Sequence, residues 1–101
     1  MIVVIASVRV KPGHAPGFLE IFKSVAPIVR EEKGCIEYFP THDLNADLPP
    51  QKLDANVVTI MERWESLDAL RAHLRSSHLA SYRERVKDIV EGTSIRVLQE
   101  A

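Results

Sequence analysis

The order in which hydrophobic periodicities follow one another is what most constrains the fold of this chain. Ile2 to Val10 is rich in valine and isoleucine and alternates, as strands do. A helical stripe, with apolar residues three and four positions apart, follows over Phe18 to Lys33. Strand patterns then occupy Cys35 to Pro40 and Val57 to Trp64, and Ser94 to Leu98 closes the chain as a fourth strand. These patterns predict a sheet with helices packed on it.

Capping residues mark the limits of the helical segments. Gly34 is predicted to end the first helix as a C-cap, because glycine adopts the left-handed conformation found there. Ser66 is predicted to cap a second helix, which carries leucines three and four positions apart. The sequence SSH at 76–78 interrupts that pattern, and a further helical stretch is expected to run to about Val90. The element order is then β-α-β-β-α-β with the second helix interrupted, the ferredoxin-like α+β arrangement of an antiparallel sheet with helices on one face.

Alternation in the third strand assigns its side chains to the two faces of the sheet. A period of two places Glu62 and Trp64 on the face that the helices cover. The opposite face carries Val57 and Met61, and no helix is left to cover these apolar side chains. Since exposed apolar sheet faces usually mark interfaces, we expect a homodimer that packs sheet against sheet.

Length and charge exclude several classes of protein. A chain of 101 residues is expected to form one domain, residues 1–101. The 13 Lys and Arg residues nearly balance the 14 Asp and Glu residues, which argues against binding to nucleic acid or to a membrane surface. No apolar run approaches the roughly 18 residues of a membrane span, and the N-terminal stretch lacks the basic region of a signal peptide. We therefore expect a cytoplasmic protein.

Motifs that bind cofactors or support nucleophilic catalysis are absent from the sequence. The four glycines are scattered, so no glycine-rich phosphate loop exists. The single cysteine, Cys35, has no base nearby in the sequence, so a buried inert thiol is expected. His73 and His78 lie five residues apart, which is about 140° on a continuous helix and a poor arrangement for sharing a metal ion. The sequence therefore predicts neither a bound cofactor nor a metal site.

Three residues around the junction of the third strand and the second helix are candidates for chemistry, and each has a structural alternative. Glu62 either reaches solvent or an arginine such as Arg71, or lies at the rim of a cavity as a base or orienting acceptor. Trp64 is either a core residue or a flat wall for an aromatic ligand. His73, beside the apolar face of its helix, is either a half-buried structural residue or a proton acceptor near neutral pH.

Two further side chains and one loop have open roles. His78, at the helix break, either caps the second helical stretch or orients a ligand, with capping preferred. Tyr82 either presents its hydroxyl to the same cavity or packs with its hydroxyl in water. The long polar segment Thr41 to Asn56, with adjacent prolines, fits a lid or binding loop as well as a plain connector.

Three stretches of the chain resemble a known family. EEKGCIEY, ERWESLDALRAHLRSSHLASYRERV and IRVLQ are similar to sequences of the antibiotic biosynthesis monooxygenase (ABM) superfamily, in particular to its bacterial quinol monooxygenases. The likeness covers nearly the whole chain, and its most specific pieces are Glu-x-Trp-x-Ser at 62–66 and Ala-His-Leu at 72–74. It implies a dimeric ferredoxin-like fold, the dimeric α/β-barrel type of assembly, with a pocket between sheet and helices in each subunit.

The resemblance also implies an activity. Monooxygenases of this superfamily oxidise quinols or polycyclic phenols with dioxygen and use no metal, haem or flavin, since an electron-rich quinolate passes an electron to oxygen itself. By the resemblance, Trp64 would form the pocket wall, and His73 or Glu62 would assist deprotonation of a small aromatic substrate. The residues that would position that substrate are Tyr38, His78 and Tyr82.

Other members of the superfamily suggest other functions. Haem-degrading members pair an Asn on the first strand with a Trp and a haem-ligating His, but the first strand here, VVIASVRV, contains no Asn, which argues against haem degradation. Other members isomerise small phosphorylated signalling sugars, and Lys23 and Arg71 are available here as cationic contacts. Some members have no demonstrated activity, so a non-catalytic stress protein that binds a quinone is a further alternative.

Overall fold

A four-stranded antiparallel sheet with three helices on one face makes up the protein. The structure is a computed structural model that describes all residues, Met1–Ala101. In chain order the elements are β1 (Ile2–Val10), α1 (Ala15–Arg30), β2 (Cys35–Thr41), β3 (Val57–Trp64), α2 (Leu67–Leu74), α3 (Ser77–Val86) and β4 (Val90–Leu98). The strands lie in the order β2-β3-β1-β4, and neighbouring strands are antiparallel. This arrangement confirms the predicted ferredoxin-like α+β fold. None of the three helices has the length and apolar character needed to cross a membrane.

The core lies between the helices and the covered face of the sheet. Alternate residues of β1, from Val4 to Val10, are buried and pack against the apolar side of α1. In β3 every second residue from Val58 to Trp64 is buried, which confirms the faces predicted from alternation. Val4 pairs with Glu62 in the antiparallel register, so the Glu62 side chain lies on the same face as the apolar core of β1.

The first helix has different limits from those predicted. α1 begins at Ala15, because Pro16 fits the first turn, where its missing N–H costs no hydrogen bond. It ends at Arg30, three residues before the predicted end, and the N–H of Glu31 closes its last turn. Gly34 is therefore not the C-cap of this helix, and lies instead in the turn that leads into β2.

Gly34 is required by that turn. Its φ is 87°, and a Cβ placed there would lie 2.5 Å from the Cβ of Ala69. Gly34→Ala is therefore expected to lower the free energy of unfolding by about 1–3 kcal/mol, measured by urea denaturation. Gly17→Ala is the matched control, because an added Cβ there meets no atom within 4 Å and the position is helical, so the change should be neutral or stabilising. Equal stability of Gly34→Ala and the wild type would contradict the prediction.

The second helical segment consists of two helices. Ser66 caps α2 as predicted, and its hydroxyl oxygen accepts a hydrogen bond of 3.1 Å from the N–H of Ala69. Ser76 caps α3 in the same way, by accepting from the N–H of Leu79. The prediction that His78 caps this helix is wrong, because Ser76 holds the N-cap position and His78 follows it inside the first turn.

The end of α3 and the start of β4 both come earlier than predicted. α3 ends at Val86 instead of near Val90, and β4 begins at Val90 instead of Ser94. The longer strand forms because β1 continues to Val10 and provides pairing partners for the additional residues of β4. Since β4 is an edge strand with residues exposed on both faces, it lacks the alternation that reveals a strand in the sequence.

No element covers the second face of the sheet. Ile5 of β1 lies directly opposite Met61 of β3 at the middle of this face, and both strands are central in the sheet. The apolar side chains Val3, Ile5, Val57 and Met61 are each only partly buried by their neighbours in the sheet. The uncovered apolar face that was predicted from Val57 and Met61 is therefore present in the single chain.

Candidate functional site

A cavity of about 330 Å³ lies between the helix-covered face of the sheet and α3. Its walls are mostly apolar, with Phe22 from α1 and Ile60 from β3 among them. This volume falls at the lower end of the range for small-ligand pockets, about 300–1,000 Å³. The candidate residues that line it are Tyr38, Glu62, His73 and Tyr82.

Trp64 holds Glu62 in place at the cavity wall. Trp64 is fully buried, and its Nε1–H donates a hydrogen bond of 3.0 Å to Oε1 of Glu62. Glu62 is 7% exposed and lines the cavity, so the interpretation that it reaches solvent or Arg71 is wrong. Nη1 of Arg71 lies instead 3.7 Å from Oδ1 of Asp68 on the helix surface. Trp64 is thus a core residue that orients Glu62, and it lies behind the cavity wall instead of forming it.

The surroundings of Glu62 raise its pKa from 4.5 to about 7. Burial is the main cause, because an apolar environment disfavours the charged carboxylate. The N–H of Trp64 opposes this effect by stabilising the charged form, while the negative charge of Glu32 adds to it. A carboxylate with a pKa near 7 exchanges a proton readily at neutral pH, which is the property required of a general base.

The raised pKa of Glu62 makes protein stability depend on pH. The unfolded value is 4.5 and the folded value about 7, so the stabilisation from the neutral carboxyl is complete below about pH 4.5 and is lost as the pH rises through about 7. This loss amounts to about 3 kcal/mol. Tyr38 and Tyr82, the tyrosines at the cavity, stay neutral throughout this range.

The free energy of unfolding of the wild type should therefore fall relative to that of Glu62→Gln between about pH 4.5 and pH 8, measured by urea denaturation. A difference that does not vary with pH would contradict the shift.

His73 is buried against two aromatic rings. Its ring centroid lies 4.7 Å from that of Trp64 and 5.4 Å from that of Tyr38, and the residue is 2% exposed. It is therefore more deeply buried than the half-buried position expected from the sequence. Its Nδ1–H donates a hydrogen bond of 2.9 Å to Glu32, and its Nε2 has no partner in the protein. Burial lowers the pKa of His73 although Glu32 acts in the opposite direction, so the neutral ring is favoured.

Glu32 is a site residue that was not predicted. It lies in the turn after α1, and its Oε2 accepts from Nδ1 of His73 and, at 2.7 Å, from Nε2 of His78. His73 and His78 were expected to point in different directions on one continuous helix. This expectation is wrong, because the helix is interrupted between α2 and α3, and a ring nitrogen of each histidine approaches the same part of Glu32. His78 is directed at Glu32 and does not line the cavity. The SSH break at 76–78 was the available signal, but nothing in the sequence separates Glu32 from its neighbour Glu31.

Tyr38 and Tyr82 both line the cavity, and the rings of both contact Phe22. Tyr38 stacks on Phe22 with ring centroids 5.1 Å apart, and Tyr82 meets Phe22 edge to face at 6.0 Å. Burial raises the pKa of both hydroxyls well above the ordinary value of 10.0. Both tyrosines are therefore neutral hydrogen-bond donors at physiological pH.

Two cations, Arg83 of α3 and Lys87 at the C-cap of that helix, also line the cavity. Neither was predicted from the sequence. Lys23 and Arg71, the cations considered as available for a phosphorylated ligand, are both exposed and do not line it. Positive charge at the cavity therefore comes from the C-terminal end of α3 and the residue that follows it.

Cys35 and the 42–56 segment lie outside the cavity lining. Burial, followed by the charges of Glu32 and Glu62, raises the pKa of the Cys35 thiol, so the thiol stays protonated. It is partly exposed instead of buried as expected. The predicted loop starts one residue later than expected, because Thr41 is the last residue of β2. The 42–56 segment contains no helix or strand and lies beside the start of α1, so it does not form a lid over the cavity of its own chain.

Comparisons with known proteins find relatives that match most of the chain. The family model described as "Antibiotic biosynthesis monooxygenase" matches residues 1–85. "Probable quinol monooxygenase YgiN" from Escherichia coli (strain K12) is 38% identical over an aligned length of 101, and the match covers 98% of this chain and 97% of that protein. A conserved protein from Methanosarcina mazei Go1 has a crystal structure with a TM-score of 0.84 and 25% identity, covering 99% of this chain and 92% of that one. The crystal structure of PA3566 from Pseudomonas aeruginosa gives a TM-score of 0.82 at 21% identity, with 99% and 93% of the two chains covered.

These matches agree with the resemblance carried by the Glu-x-Trp-x-Ser and Ala-His-Leu runs of the sequence. The sequence matches support a monooxygenase-type function, and the solved structures share the fold. The chain belongs to the antibiotic biosynthesis monooxygenase family.

Proposed function

We propose that the protein is a monooxygenase that oxidises a quinol or a related aromatic phenol with dioxygen and needs no cofactor. The observation that carries this proposal is the buried carboxylate of Glu62, held by Trp64 at the wall of a mostly apolar cavity. The family match and the name of the Escherichia coli relative support the same class of reaction and substrate.

The reaction balances without an external electron donor. A quinol and dioxygen give a hydroxyquinone and water, because one oxygen atom enters the ring and the other is reduced to water. The quinol supplies all four electrons for this change. Since a quinolate passes the first electron to dioxygen directly, the protein needs only to deprotonate the substrate, orient it and exclude water.

Glu62 is the base in this proposal. Its Oε1 accepts the N–H of Trp64, which leaves Oε2 to take the proton of a substrate hydroxyl. His73 lines the same cavity, and its unpartnered Nε2 is available to accept from the second hydroxyl of a quinol. Tyr38 and Tyr82 serve as neutral donors that orient the substrate oxygens.

The test is oxygen consumption. The purified protein is mixed anaerobically with a reduced naphthoquinol, and oxygen is then admitted. Consumption well above that of the protein-free control, with a hydroxynaphthoquinone as product, is the expected result. Consumption equal to the control would refute the proposal for this substrate. Quenching of Trp64 fluorescence by the quinone without oxygen uptake is the result expected of a non-catalytic quinone-binding protein.

An isomerase of a small phosphorylated sugar is a second candidate, favoured by Arg83 and Lys87 in the cavity lining. Cationic side chains bind phosphate groups through charge-assisted hydrogen bonds. A thermal-shift panel separates the two candidates, because a ligand that binds the folded state raises the melting temperature. A shift with quinones but not with sugar phosphates supports the monooxygenase, and the reverse supports the isomerase.

We also propose that the protein is a homodimer in which the uncovered faces of two sheets pack together. This proposal is supported by the apolar residues at the middle of that face, where Ile5 lies opposite Met61 and no element of the chain covers them. Burying such a face in an interface removes apolar surface from water, at about 25 cal/mol per Å².

Ile5→Lys is expected to convert this dimer to a monomer, because a charged side chain at the middle of the face resists burial. Size-exclusion chromatography with light scattering measures the mass. Ile28→Lys is the matched control, since Ile28 is exposed on α1, and it should leave the mass unchanged. A dimer that persists in Ile5→Lys would show that a different surface holds the subunits together.

A further inference from the structure

We propose that Glu32, His73 and His78 form a binding site for a divalent transition metal, with Zn²⁺ as the preferred ion. The three side chains offer two imidazole nitrogens and one carboxylate oxygen, the donor set of zinc sites that keep a fourth position open. Mg²⁺ and Ca²⁺ prefer oxygen donors and are not expected to bind here. The site goes beyond the reaction proposed above, and its test does not require that reaction.

The three donor atoms converge from separate parts of the chain. Glu32 lies in the turn after α1, His73 in the last turn of α2 and His78 in the first turn of α3. One oxygen of Glu32 lies 2.9 Å from Nδ1 of His73 and 2.7 Å from Nε2 of His78, and all three atoms lie within 4.8 Å of one another. Donor atoms at about 2.0–2.1 Å from a common tetrahedral zinc ion lie about 3.3–3.4 Å from one another. Each nitrogen therefore needs to move away from the carboxylate oxygen by about half an ångström, and the two nitrogens, which lie within 4.8 Å of each other, need to reach the same separation.

The cluster combines burial with access. The His73 side chain is 3% exposed, while those of Glu32 and His78 are 16% and 25% exposed. The exposed edges of Glu32 and His78 provide an entry path for the ion and a position for water as the fourth ligand. Both residues belong to the ends of structural elements, where small shifts of a side chain do not disturb the core.

Metal binding would also change whether His73 is a hydrogen-bond acceptor or a donor toward the cavity. At present its Nδ1 carries the proton that is donated to Glu32, and Nε2 is an acceptor. A nitrogen that binds a metal carries no proton, so the proton of the neutral ring moves to Nε2. Nε2 then becomes a donor, so a cavity ligand would accept a hydrogen bond from His73 instead of donating one to it.

The test is direct measurement of metal binding by the untagged full-length protein. Calorimetric titration with Zn²⁺ and visible absorption with Co²⁺ should both show one ion per chain. Glu32→Gln replaces the anionic carboxylate with a neutral amide, and His78→Ala removes a donor, so each should weaken binding by at least about 10–100-fold. Glu31→Gln and His14→Ala are the matched controls, because both residues are exposed outside the cluster, and both should bind as the wild type does.

Two results would overturn the proposal. One is the absence of stoichiometric binding to the wild type, and the other is unchanged affinity in Glu32→Gln and His78→Ala. Far-UV circular dichroism confirms that each variant is folded before titration. If Glu32→Gln does not fold, His78→Ala decides the question, because it changes a partly exposed side chain. A Zn²⁺-dependent rise in melting temperature that is present in the wild type and absent from His78→Ala supports the proposal.

Discussion

Glu62→Gln is expected to lower kcat for naphthoquinol oxidation by about 10²–10⁴-fold, the range typical for loss of a general base. Glutamine has nearly the same size, and its side-chain oxygen still accepts the N–H of Trp64, so the cavity keeps its shape. It cannot, however, take a proton from the substrate. Oxygen uptake at saturating quinol measures kcat, and KM should change far less because the apolar walls are retained.

Glu20→Gln is the matched control for this prediction. Glu20 is exposed on α1 and does not line the cavity. The same chemical change at this position should leave kcat unchanged. If Glu62→Gln retained the kcat of the wild type, Glu62 would not be the base, and His73 would be the next residue to replace.

Trp64→Ala is expected to lower the free energy of unfolding by about 3–5 kcal/mol. Trp64 is fully buried, so its removal leaves a large cavity in the core. The change also takes away the only side-chain hydrogen-bond partner of Glu62, which adds the cost of an unsatisfied buried group. Since Trp64 is the single tryptophan, urea denaturation should be followed by far-UV circular dichroism at a fixed protein concentration.

Trp64→Phe separates the two causes of this loss. Phenylalanine keeps part of the ring volume but has no N–H for Glu62, so a smaller loss of stability is expected. It should also raise the pKa of Glu62 further, because the bond that stabilises the charged form is gone. A loss below about 1 kcal/mol in Trp64→Ala would show that the core around this residue collapses to fill the space.

Strand limits were predictable where one face of a strand is buried and the other is not. β1 and β3 have the predicted limits, because alternation runs along the whole of both strands. The first four residues of β4 were missed, since an edge strand that is exposed on both sides has no such pattern. The end of α1 was also missed, because Gly34 suggested a C-cap while its left-handed φ serves the following turn.

In the candidate site, the contact between residues close together in the sequence was predictable, and the contacts between distant residues were not. Glu62 and Trp64 are two residues apart on one strand, so their shared face follows from the period of two. Glu32 and His73 are 41 residues apart, and their contact depends on how α2 packs beside the turn after α1. The convergence of His78 on the same oxygen depends on the change of direction between α2 and α3. No periodicity within one element encodes either contact.

The single Glu32 oxygen that accepts from both histidines also ties the local stabilities of α2 and α3 together. Each helix makes a hydrogen bond from a histidine to the same atom in the turn after α1, so the loss of that atom weakens the attachment of both helices together. The two helices should therefore open as one cooperative unit, and amide protons in both should lose protection against hydrogen exchange together in Glu32→Ala, which removes the accepting oxygen. Because α3 forms one side of the cavity, this opening would also expose the buried side of Glu62 to water.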